Sequence, residues 1–143
     1  MGLDLGTRTV GVAVADELGF TAQPLETVRR KSLRLDLGAL GLIAREHGVD
    51  RVVLGLPLNM DGTEGPRALA SRKFAAELER ALGLPVELWD ERLTTAEAQR
   101  VLLAADVSRA RRKEVVDTLA ASIILQGWLD ARSASRGPAE EDT

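Results

Sequence analysis

Cysteine is absent from this 143-residue chain, which excludes disulfides, thiolate metal sites and cysteine nucleophiles. Tyrosine is absent too. The single histidine, His47, follows Arg45 and Glu46 in a polar stretch, so neither a histidine-based triad nor a multi-histidine zinc site is expected. Aromatic residues are scarce: Phe20, Phe74, Trp89 and Trp128 are the full set, which gives base stacking little to work with. No apolar run approaches the ~18 residues of a membrane-spanning helix. Asp4 and Arg8 interrupt the first apolar stretch, against a secretory signal, and the expected compartment is the cytoplasm. Polar catalysis must fall to carboxylates, Ser/Thr, Lys/Arg and Asn/Gln.

The net charge of −3 at first argues against a polyanionic partner. Its distribution softens that objection. Residues 1–132 carry 18 Lys and Arg against 19 Asp and Glu, because Glu140, Glu141 and Asp142 all lie in the tail. Within this near-neutral body the basic residues cluster as Arg29-Arg30-Lys31-Arg34, as Arg72-Lys73 and as Arg109-Arg111-Arg112-Lys113. Such clusters serve either as phosphate footprints or as solvated helix ends and loops.

The order of elements reads β-β-β-α-β-α-β-α-α. Gly2 to Leu5 and Val10 to Ala15 are strands around the turn Gly6-Thr7-Arg8-Thr9 and form an antiparallel pair. Residues 23–29 read as an edge strand with Pro24 near its start. Leu33, Leu37, Leu40 and Ala44 fall at helical spacing, and Gly48 stops that helix. Residues 51–56 form a compact strand, apolar throughout after Arg51, as in a strand covered on both faces. A turn-rich loop, 57–66, precedes a helix over 67–82, and residues 86–90 form a fifth strand. Thr94 or Thr95 caps a helix running to about Asp106. A basic loop then leads into a last helix over 113–132, and the Ser/Gly/Pro/acidic tail, 133–143, is expected to be disordered. The fold class is α/β: a single domain over 1–132, with a mixed five-stranded sheet flanked by helices on both faces.

Three acids stand out. Asp4 lies inside an apolar strand, where a carboxylate is costly unless paired or bound to metal. The alternative is a turn carboxylate that accepts from the Thr7 or Arg8 amide. Glu91 follows the fifth strand, at the end where α/β sheets gather ligands, and strand alternation puts Asp90 and Glu91 on opposite faces. Asp117 stacks over Ala120, Ala121 and Ile124 at i+3, i+4 and i+7, beside a face of Val116, Ala120, Ile123 and Gly127. Helix-end stabilisation is the competing explanation there. Oxygen-rich sites of this type suit Mg²⁺ or Mn²⁺, and two such ions support phosphodiester hydrolysis.

With those residues in view, Gly2-Leu3-Asp4-Leu5-Gly6-Thr7-Arg8-Thr9-Val10-Gly11 resembles the opening motif of the YqgF (RuvX) family. Val53-Leu54-Gly55-Leu56-Pro57 with Asn59 and Gly62 is similar to its second block, and Asp90-Glu91-Arg92-Leu93-Thr94-Thr95 to its most distinctive one. Lys113 to Asp117 with Ala120-Ala121 and Ile124-Leu125-Gln126 looks like its closing block. The resemblance spans residues 1–132. It implies a ribonuclease-H-like fold related to RuvC, and a nuclease that matures the 5′ end of precursor 16S rRNA or resolves Holliday junctions. Asp4, Glu91 and Asp117 match the family's catalytic and metal-binding acids. One departure from the wider ribonuclease-H-like group is that the fourth strand ends in Gly55-Leu56-Pro57 and not in an acid. Asp61, just beyond, is expected to serve the turn.

Arg8, Asn59, Arg92, Arg109, Arg111, Arg112 and Lys113 are the expected nucleic-acid contacts, made through shape and phosphate more than through bases. Two rivals stay open. Asp4-Leu5-Gly6-Thr7 before a hairpin also opens actin-like and sugar-kinase folds, but those need a second lobe for which this chain is too short. A non-catalytic nucleic-acid-binding module is the other. A junction cutter would require a homodimer, because it cuts two symmetric strands.

Overall fold

The structure, a computed structural model, describes residues 1–93 and 118–133. The expected helix over 94–106, the basic loop, the start of the last helix at Lys113 and the tail from residue 134 lie outside the described residues.

Strands β1 (Gly2–Leu5) and β2 (Thr9–Ala15) pair antiparallel, and the turn is closed by the Gly6 amide donating to the Thr9 carbonyl at 2.8 Å. β3 (Ala22–Arg29) pairs antiparallel with β2, and a bulge opposite Val12 and Ala13 leaves Leu25 unpaired next to Pro24 at the sheet edge. Helix α1 (Leu33–Glu46) crosses to β4 (Val52–Leu56), which lies parallel to β1. Helix α2 (Pro66–Leu82) crosses to β5 (Val86–Asp90), parallel to β4. The five-stranded sheet has the order β3-β2-β1-β4-β5. The carboxyl ends of β1, β4 and β5 therefore meet at one end of the sheet. A C-terminal helix, 118–133, completes the described chain.

Side-chain alternation divides the core into two layers. Leu3, Val10, Val12, Val52 and Leu54 point to α1 and α2, where they meet Leu40, Ile43, Phe74 and Leu78. Ala13 and Val53 point to the other face, against Ala121, Ile124 and Leu125 of the C-terminal helix. All five residues of β4 are buried, which is why that segment reads as a continuous apolar run.

Two faces differ from those expected. In α1 the buried positions are Asp36, Leu40, Ile43 and Ala44, while Leu33 is 45% exposed. The first turn is held by polar contacts: Ser32 Oγ accepts from the Leu35 amide, and Asp36 Oδ1 accepts from the Lys31 amide at 2.8 Å. In the C-terminal helix the face is turned toward Ala121, Ile124 and Leu125, and Ile123 is only half-buried. The sheet dictates this, because Gly2 lets the helix backbone come close. A Cβ on Gly2 would stand 2.6 Å from Leu125 Cβ and 2.9 Å from the Ala121 carbonyl oxygen. No described helix is long and apolar enough to cross a membrane.

Gly2→Ala should force the helix and sheet apart. We expect a loss of about 1–3 kcal/mol, the usual cost of overpacking a core. Urea unfolding would show it as a lower midpoint at unchanged m-value.

Candidate active site

Asp4 stands next to the end of β1, paired with Gly11 of β2. Leu3 pairs with Leu54, so Asp4 comes level with Gly55 of β4. Leu3 belongs to the layer under α1 and α2, and alternation turns Asp4 to the face of the C-terminal helix.

Glu91 reaches the same face just beyond the strand end. β5 ends at Asp90, and residues Glu91–Leu93 form a single 3₁₀ turn. Glu91 lies with Trp89 on the face of the C-terminal helix and Asp90 follows Leu88 on the other, the opposite placement that strand alternation predicts. Its carboxyl group comes over the bare backbone of Gly55: a Cβ there would stand 3.0 Å from Glu91 Cδ and 3.1 Å from Cγ. The same Cβ would stand 2.6 Å from Ile124 Cδ1, so an apolar side chain shares that space with the acid. Glycine is needed in the central strand because Glu91 and Ile124 occupy its side-chain volume.

The electrostatic consequence is large. The Glu91 carboxyl is pushed up to about 7, chiefly by burial and next by the charge of Asp4; Arg67 opposes the shift and Asp90 adds to it. A half-desolvated acid beside a second acid fits a divalent cation, which would favour both carboxylates in their ionised form. Among the described residues no group of three or more potential metal ligands occurs. Asp117, the third expected acid, lies outside the described residues; Ala121 and Ile124, over which it is expected to stack, are buried against the sheet.

Asp90 is engaged elsewhere. Its carboxylate accepts from Arg92 Nη2 at 2.8 Å, from Nε at 3.1 Å and from the Arg92 amide at 2.9 Å. This pairing holds the Asp90 carboxyl below its ordinary value. Arg92 also donates through Nη1 to the Met60 carbonyl at 3.3 Å and lies against Gly62, whose φ of 89° requires glycine. Arg92 thus straps the end of β5 to the loop after β4, a structural task the sequence did not disclose. Within that loop, Asn59 Nδ2 donates to Thr63 Oγ1 at 2.9 Å, and Asp61 Oδ1 accepts from the Thr63 amide at 3.0 Å and from its hydroxyl at 2.6 Å. Asp61 is therefore a turn residue, as expected, and Asn59 organises the loop at the border of the site.

Arg8 is exposed in the β1–β2 turn. Arg109, Arg111, Arg112 and Lys113 lie outside the described residues. The sequence reading missed Arg67, in the first turn of α2, whose charge acts on Glu91. Its signal was present: a basic residue immediately after the glycine-rich loop that follows a parallel strand.

Similarity to known proteins agrees with this geometry. Over 94% of each chain, the fold superposes on a structure described as T. thermophilus RuvC in complex with Holliday junction substrate, with a TM-score of 0.60 at 14% identity. A second Thermus thermophilus RuvC structure gives a TM-score of 0.54 at 15% identity, covering 93% of this chain and 95% of that one. The fold is thus ribonuclease-H-like. The model of the RuvX family, described as "Holliday junction resolvase", matches residues 1–131, and the chain belongs to that family. A protein of Myxococcus xanthus named "Putative pre-16S rRNA nuclease" is 70% identical over 131 residues, covering 92% of this chain and 87% of that protein. One of Symbiobacterium thermophilum with the same name is 61% identical over 133 residues, covering 93% and 92%.

The raised Glu91 value makes a prediction for stability in the presence of chelator. Between about 4.5 and about 7 the unfolded chain has released this proton and the folded chain still holds it, so stability falls as pH rises through that window. Glu91→Gln removes the titration. Its stability relative to wild type should climb across the window and level off above it, as read by urea midpoints at several pH values. A gap that does not change with pH would contradict the buried, acid-flanked placement of Glu91.

Proposed function

We propose that the protein is a nuclease that uses two Mg²⁺ or Mn²⁺ ions to cleave precursor 16S rRNA during maturation of its 5′ end, in the cytoplasm. The observation that carries this reading is the Glu91 carboxyl, buried over Gly55 within the field of Asp4. Such a pair is unfavourable in the bare protein and becomes useful when cations are held between the acids. The relatives' names supply the substrate class.

In this reading Asp4, Glu91 and Asp117 would hold the ions through their carboxylates. When bound, the ions supply a water of lowered pKa and neutralise the charge that develops on the leaving oxygen. The protein's own part is to hold the acids at fixed positions and to fix the substrate in line. Arg92 keeps the loop of Asn59 in place beside Glu91. Arg8, Arg109, Arg111, Arg112 and Lys113 hold the flanking phosphates, and Arg67 tempers the negative charge around Glu91 before substrate arrives.

A second reading, resolution of four-way DNA junctions, is favoured by the family description and by the RuvC fold. It requires a homodimer so that two strands are cut symmetrically.

One assay tests both. Wild type, Asp4→Asn, Glu91→Gln and Asp117→Asn are incubated with Mn²⁺ or Mg²⁺ and an extended 16S rRNA precursor, a single-stranded RNA or a four-way DNA junction. Wild type should cleave the rRNA precursor, and each variant should lose on the order of 10²-fold or more in rate, comparable to the loss of one strong electrostatic stabiliser of a transition state. Wild-type activity surviving in all three variants would rule out the three-acid site. Cleavage confined to the junction would favour the second reading.

A further inference from the structure

The basic cluster Arg29-Arg30-Lys31-Arg34 has no part in the site described above, yet the fold brings it to the same end of the sheet. Asp4 pairs with Gly11, and Gly11 pairs with Thr27, so Thr27 stands level with Asp4 two strands away on the same face. Arg29 lies two residues beyond Thr27 and shares that face, paired with Thr9. At ~4.8 Å between neighbouring strands and ~3.4 Å per residue along them, the Cα atoms of Arg29 and Asp4 are about 12 Å apart. A few nucleotides of chain span that gap.

Arg30 is only partly exposed and staples the region together. Its Nη1 donates to the Gly6 carbonyl at 2.7 Å, its amide donates to the Arg8 carbonyl at 2.8 Å, and its guanidinium lies 5.9 Å from the Phe74 ring centroid. Nε stands 3.9 Å from Asp36 Oδ2, and Asp36 also fixes the Lys31 amide. One buried carboxylate and one internal guanidinium therefore fix the Arg8 turn and the Arg29–Lys31 corner relative to Gly6, two residues from Asp4. Arg8, Arg29 and Lys31 are exposed, and no ion pair with a described carboxylate is formed by any of them.

Three unneutralised cations on a fixed backbone beside an acidic site suit a polyanion that must approach that site. We propose that Arg8, Arg29 and Lys31 form a phosphate-binding strip that holds the phosphodiester backbone of the substrate on the β3 side of the cleavage point. This rests on the nuclease reading above. The acids repel the backbone, and the strip supplies the compensating attraction at a distance that leaves the carboxylates free to ionise. Contacts of this kind position a strand and carry no base preference.

The test measures binding separately from cleavage. Binding of a fluorescent oligoribonucleotide from the precursor 16S 5′ extension is followed by anisotropy over a series of KCl concentrations. The proteins are Asp4→Asn alone, Asp4→Asn with Arg29→Gln/Lys31→Gln, and Asp4→Asn with Arg45→Gln/Arg80→Gln. The last removes the same charge from the far ends of α1 and α2. Loss of two single-strand phosphate contacts should lower the slope of log K against log salt by about 1.4, from ~0.7 per contact. The Arg45/Arg80 control should keep the parent slope. In the cleavage-competent chain, Arg29→Gln/Lys31→Gln should raise KM and leave kcat unchanged. An unchanged slope, or an equal fall in the control, overturns the strip. If the strip variant lowers the slope while wild type cleaves no nucleic acid with either metal, the strip stands and the nuclease reading fails.

Discussion

Gly55 sits in the central parallel strand with Glu91 and Ile124 crowding the space where its side chain would be. Much of the site follows from that one missing carbon. With any larger residue, either the C-terminal helix moves off the sheet or the Glu91 carboxyl moves away from Asp4. The two displacements are coupled, because the apolar contact of Ile124 helps desolvate Glu91. The packing that closes the second core layer and the electrostatics that tune the acid are one arrangement. A comparable close approach at Gly2, against Leu125 and the Ala121 carbonyl, holds the same turn of the helix to the neighbouring strand.

The same arrangement shows where stability is given up. A carboxyl raised to about 7 by burial and by a neighbouring acid opposes folding at neutral pH. The surroundings compensate without neutralising it. Asp90, which would add a third charge near the pair, is bound by Arg92 on three donors. Arg67 offsets part of the repulsion from the first turn of α2. The remaining imbalance would favour a bound cation, and a structure that cancelled it with a direct Arg–Glu91 pair would be more stable and less suited to one.

Legibility in the sequence tracked how local the determinant was. The hairpin, the two helices closed by Gly48 and Gly83 and the buried fourth strand were readable because turn chemistry and apolar patterning specify them within a few residues. Asp4 and Glu91 were readable as acids in unfavourable or carboxyl-terminal strand contexts. What could not be read was set by distant partners. The face of the C-terminal helix is rotated by one residue because Gly2 and Gly55 receive Leu125 and Ile124, and neither glycine announces its partner in sequence. Arg92 was readable as a partner for a phosphate or for a neighbouring acid such as Asp90; its reach to the Met60 carbonyl, across the loop after β4, was not. Asp36 had no signal at all, since an acid in the first turn of a helix is ordinarily a surface residue favoured by the dipole.

Charge placement resolves the apparent conflict between an acidic protein and a polyanionic substrate. Net charge acts at long range and is screened within ~10 Å at moderate salt, so a substrate in contact responds to the local pattern. At the site end of the sheet that pattern alternates by function. Acids occupy the ends of β1 and β5, an internal guanidinium braces the β1–β2 turn, and exposed cations stand at the turn and at the end of β3. Arg30 links these parts, because its side chain holds the carbonyl of Gly6 while its amide holds that of Arg8. A shift of the β3–α1 corner would therefore move the turn that follows Asp4. If Arg8 and Arg29 hold the flanking backbone as proposed, its binding and the position of Asp4 are mechanically connected through that residue.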